Sequence, residues 1–109
     1  MESSKIYYGG KVLNEEELKE SNIKNKVELE YYSIKRSGKV EEEGTAYGIE
    51  VVKKEYKGGG LEIEANQMEN ISSNGDKINE IINLLKRNTV TPYGLEDTME
   101  ELVKRGIAE

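Results

Sequence analysis

Between Val27 and Ile34 the chain alternates between apolar and polar side chains. Val27, Leu29 and Tyr31 take one face and Glu28, Glu30 and Tyr32 the other, the period of two that marks a half-buried strand. A second strand is predicted from Thr45 to about Tyr56, with Tyr47, Ile49 and Val51 on one side, and Lys57-Gly58-Gly59-Gly60 breaks it. A third begins at Leu61, with Ile63 and Ala65 on one face and Glu62 and Glu64 on the other. Arg36-Ser37-Gly38-Lys39 reads as a turn that leads into a solvated run, Glu41-Glu42-Glu43. Consecutive strands joined by short polar connections pair antiparallel as a meander. One apolar and one charged face per strand predicts a sheet covered on one side and wet on the other.

The period then changes to that of a helix. Ile78, Ile81, Ile82 and Leu85 fall at i, i+3, i+4 and i+7, and Ser73 three residues before Asp76 suggests a capping box at the helix start. Pro92 sits at or near the first turn of a second helix carrying Leu95, Met99, Leu102 and Val103, which Lys104-Arg105 and Gly106 close. Before Val27 the pattern is weaker: a short strand over Lys5–Leu13, interrupted at Gly9-Gly10, and a brief surface helix capped by Asn14. The expected fold is α+β, an antiparallel meander of three to four strands covered on one face by two C-terminal helices. Residues 1–26 are set apart as an N-terminal segment and residues 27–109 form the single domain, with mobility expected in the tails and one loop.

Several short motifs then point to a family. Tyr47-Gly48-Ile49 in a strand, Ile71-Ser72-Ser73 before a helix, and Val90-Thr91-Pro92 followed by Leu95, Asp97 and Glu100-Glu101 resemble a small uncharacterised family, a domain of unknown function, from low-GC Gram-positive bacteria. The resemblance spans Val27 to Val103 and leaves the first 26 residues outside. It implies a small bacterial cytoplasmic protein and brings no activity, ligand or catalytic residue with it.

Composition removes whole classes of chemistry. The 109 residues contain no cysteine and no histidine, so disulfides, thiolate zinc sites, Cys-His pairs and Ser-His-Asp triads are impossible. No serine lies in a nucleophile elbow or an S-x-x-K motif. Glu41-Glu42-Glu43 lacks the spacing and turn glycine of a calcium loop, and Gly58-Gly59-Gly60 leads into a strand, whereas phosphate loops lead into a helix. No motif implies a cofactor or a metal. The net charge of −6 and the acidic second helix, with Glu96, Asp97, Glu100 and Glu101, disfavour nucleic acid. No apolar run reaches the ~20 residues of a membrane span, and the polar N-terminus is not expected to be a signal peptide, so a soluble cytoplasmic protein is expected.

What remains is surface. All the aromatic residues are tyrosines, which suit interfaces because they join a large apolar ring to a polar tip. Tyr31 and Tyr32 are adjacent in a strand, so one of them must face away from the helices. Tyr32, Val52 and Tyr56 mark the wet face as the candidate surface for a protein partner or a second copy of the chain. The alternative is an anion or small-ligand site at the helix N-terminus, built from Ser72 and Ser73 up to Asp76.

Overall fold

A computed structural model describes residues 2–20, 22–37 and 44–107. They form four strands, β1 (Glu2–Val12), β2 (Lys26–Ser37), β3 (Thr45–Lys57) and β4 (Gly60–Ser72), and three helices, α1 (Glu15–Glu20), α2 (Gly75–Arg87) and α3 (Leu95–Lys104). The strands pair antiparallel in chain order, so the sheet is a simple meander with β1 and β4 at its edges. Helix α2 packs against all four strands and α3 against β4, completing a two-layer α+β fold. The turn expected at Gly38-Lys39 and the Glu41-Glu42-Glu43 run fall outside the described residues. Arg36 and Ser37, read as part of that turn, continue β2 and pair with Ala46 and Thr45.

The core follows from the two periods. Val27, Leu29 and Tyr31 of β2 and Ile49 and Val51 of β3 are fully buried beneath Ile78, Ile81, Ile82 and Leu85 of α2 and Leu95 of α3. Tyr31 brings a hydroxyl into this apolar layer and donates it to the Val90 carbonyl at 2.8 Å, which ties the central strand to the α2–α3 connection. Burial pushes the Tyr31 phenol well above the usual tyrosine range.

The N-terminal segment belongs to the same sheet. β1 pairs with β2 along its whole length, with a bulge at Tyr8, and Leu13 is buried in the shared core. Asn14 caps α1 in a reciprocal capping box: its side chain accepts from the Glu17 N–H at 2.9 Å, and its own N–H donates to Glu17 at 3.1 Å.

Three details depart from the sequence pattern. The residue capping α2 is Asn74, in extended geometry, whose side chain accepts from the Asp76 and Lys77 N–H groups; Ser73 stands one position too early. Val103 does not join the core stripe of α3: it is rotated about 100° from buried Leu102 and is 46% exposed. The third departure concerns β4. Its apolar face, Leu61, Ile63 and Ala65, points away from the helices.

The register explains that reversal. The two-residue turn at Gly58-Gly59 places Leu61 opposite Tyr56 and Ile63 opposite Lys54, residues on the side of β3 opposite Val51. Nearer the helices Met68 turns to the core side, and β4 then carries a bulge. Tyr47 pairs with Ser72 and Ile49 with Met68, so Glu69, Asn70 and Ile71 stand against the single Gly48 and two of the three are extra, with Asn70 in the left-handed region at φ 57°. The bulge lies tight against Gly48, where a Cβ would meet the Met68 carbonyl oxygen at 2.3 Å and the Glu69 Cα at 2.9 Å.

Candidate interaction surface

The face of the sheet away from the helices is laid out by the strand register in rows. From β1 to β4 one row reads Val12, Glu28, Lys54 and Ile63; the next reads Gly10, Glu30, Val52 and Ala65; a third reads Tyr7, Tyr32, Glu50 and Gln67. Beyond the first row stand Lys26, Tyr56 and Leu61, and beyond the third stand Lys5, Ile34 and Gly48. Tyr32, Val52 and Tyr56, singled out from sequence, therefore share this face.

Their surroundings differ. Tyr32 is half-buried: Tyr7 meets it edge-on with ring centroids 5.5 Å apart, Lys5 lies 4.8 Å over its ring, and its hydroxyl donates to Glu30 at 3.0 Å. Burial and the bond to Glu30 raise its pKa. Lys5 in turn binds Glu50 at 2.7 Å, and that carboxylate raises the lysine pKa. Tyr32 thus organises the face more than it offers free area. Val52 is 9% exposed, covered by its longer neighbours, and forms floor. Tyr56 is 40% exposed, donates its hydroxyl to Glu28, and carries Lys26 over its ring.

Most of the open area lies on four residues outside the set Tyr32, Val52 and Tyr56. Tyr7, Val12, Leu61 and Ile63 are 56%, 55%, 48% and 57% exposed. Leu61 and Ile63 alternate with Glu62 and Glu64, which lie on the helix side of the sheet beyond the reach of the helices. At this end the sheet is charged where a core would be expected and apolar where solvent would be. Among the described residues of the open face, Lys5 pairs with Glu50, Lys26 with Glu28 and Lys54 with Glu30.

The start of α2 is already provided with acceptors. Ser72 is buried and its Oγ accepts from the Asn74 N–H at 3.1 Å, while Asn74 takes two N–H groups of the first turn. Ser73 is exposed. Asp76 adds negative charge where an anion would sit.

A two-layer meander with one uncovered, tyrosine-bearing face is the class of domain this geometry defines. Residues 10–105 match the model of a family of unknown function, DUF6514, and the chain belongs to that family. The match begins within β1 and includes α1, so it reaches well before Val27. No curated protein and no solved structure matches the chain. Among the described residues, no helix is long and apolar enough to cross a membrane.

Proposed function

We propose that this protein is a non-catalytic protein-interaction or regulatory module that docks through the uncovered face of its sheet. The observation that carries the reading is the reversed polarity of β4, which leaves Leu61 and Ile63 half exposed on the side away from the helices. The face also has the size of an interface. Four strands ~4.8 Å apart and about eleven residues long cover roughly 700 Å², close to the ~800 Å² per partner of a standard complex.

The partner this face suits best is a second copy of the chain. Among the described residues three lysines and three glutamates pair on it, whereas the whole chain carries −6, so two copies meet here without the repulsion of their remaining surfaces. A two-fold arrangement would place the same apolar rows against each other. The absence of cysteine suits a reducing, cytoplasmic setting.

Sedimentation velocity of the native chain and of Ile63→Glu tests the reading. The native chain is expected to dimerise and the variant to stay monomeric with an unchanged melting temperature. A native chain that is monomeric at all concentrations removes the second copy as partner. Capture of a protein by the native chain, lost in Ile63→Glu, would then assign the face to that protein.

A further inference from the structure

A separate hollow lies at the opposite side of β4, between its bulge and α3. Its volume is ≈ 260 Å³, and Met68, Ile71, Met99 and Val103 form its apolar wall while Glu96 and Glu100 stand on its rim. Ligand pockets usually start at ~300 Å³, so the hollow suits one or two anchoring side chains better than a metabolite. Its wall is not closed core: Val103 is 46% exposed, and Met68 and Ile71 are half-buried. Methionine-lined walls adapt to side chains of different shape.

The strand beside the hollow is an edge. The order β1-β2-β3-β4 gives β4 a neighbour on its β3 side alone, and Glu69, Asn70 and Ile71 have no register partner even there. An extended segment lying along this edge could pair with its main chain while dropping a side chain into the hollow. The rim fixes the charge of such a segment. Glu96 and Glu100 are one helical turn apart on the groove side of α3, and the exposed Lys104 that reaches Glu100, at 3.5 Å, leaves Glu96 untouched. Glu69, also on the rim, is held by Arg36. An acidic or neutral segment would bring no compensation to this rim, whereas lysine or arginine would.

We propose that the hollow between the β4 bulge and α3 docks a short, extended, basic segment of a partner protein, which anchors one or two apolar side chains on Met68, Ile71, Met99 and Val103. This site is independent of the open sheet face.

The test uses the full chain with methyl-labelled methionine. Two of its three methionines, Met68 and Met99, line the hollow. The probe is a hexapeptide of two leucines flanked on each side by two lysines. Two companions carry serine for leucine and glutamate for lysine. The lysine–leucine peptide is expected to shift the Met68 and Met99 methyl resonances, and Glu96→Lys with Glu100→Lys, or Val103→Asp alone, should weaken it by about tenfold or more. Ile63→Glu, on the open face, should leave it unchanged, so failure here and failure of the open-face reading remain separate results. The charge-matched control Glu15→Lys with Glu16→Lys on α1 should also leave binding unchanged. The proposal is overturned by methyl resonances that do not move, by equal binding of the serine or glutamate peptide, or by equal loss in the α1 control.

Discussion

Replacing Gly48 with alanine probes the close approach that seats the β4 bulge on β3. The new Cβ would stand 2.3 Å from the Met68 carbonyl oxygen, 2.9 Å from the Glu69 Cα and 3.2 Å from the Met68 carbonyl carbon. All three are main-chain atoms, so no side chain can swing aside. Restoring ordinary contact at ~3.5 Å requires more than about 1 Å of retreat by β4. That movement strains or breaks the pairing of Ile49 with Met68 and of Tyr47 with Ser72. Overpacking costs about 1–3 kcal/mol and a weakened ladder bond about 1 kcal/mol more. Alanine stiffens the unfolded chain and returns about 0.4–1 kcal/mol. The expected net loss is about 1–3.5 kcal/mol, a sizeable part of the ~5–15 kcal/mol that holds a domain together. Urea unfolding followed by circular dichroism would measure it, with Gly58→Ala as the control, since nothing lies within 4 Å of a Cβ there. A loss below about 0.5 kcal/mol, the usual range for a surface change, would refute the claim that β4 is seated on Gly48.

Other perturbations follow from single contacts. Tyr31→Phe removes the hydroxyl bonded to the Val90 carbonyl and should lower the urea-derived stability by about 1–2 kcal/mol with the sheet intact. Asn74→Ala should cost about 1 kcal/mol by freeing two N–H groups at the start of α2, whereas Ser73→Ala should be neutral by the same assay. Glu17 is held below its ordinary 4.5, first by the Asn14 N–H and then by Lys11. A depressed carboxyl stabilises the fold above the unfolded pKa and loses that effect as pH falls through the folded one. Glu17→Gln should therefore lower the urea midpoint at neutral pH and match the native chain well below pH 4.5; an equal deficit at both pH values would contradict this.

Much of the fold was legible because its strongest patterns are local. The alternation over Val27 to Tyr31 and the stripe Ile78, Ile81, Ile82 and Leu85 each identify an element and its buried face without knowledge of the rest. The meander and its helical cover follow from them. β1 was harder to read because its bulge at Tyr8 breaks the alternation, and because its exposed Ile6 and Val12 look no different in sequence from core residues.

The surface was legible in part. Tyr32 had to face outward once Tyr31 faced inward, and it does. In β4 the alternation separates an apolar from a charged face, but which of the two meets the helices follows from register, not from polarity. The informative signal was the turn: two residues between Lys57 and Gly60 put Leu61 on the side of Tyr56 and Lys54, opposite Val51. The hollow beside α3 had no comparable signal. It depends on two extra residues in β4 and on the one-position step from buried Leu102 to exposed Val103.

Closure of the uncovered sheet face on a second copy, as proposed above, would bury Leu61 and Ile63. The chain has no cysteine, so a single introduced thiol reports its own accessibility without interference. Alkylation rates of Leu61→Cys, Ile63→Cys and, on the solvent side of α2, Glu80→Cys would be compared in dilute and concentrated solution. The thiols at positions 61 and 63 are expected to become protected as concentration rises while the thiol at position 80 reacts at a constant rate. Equal rates at every position and concentration, or protection confined to position 80, would contradict it.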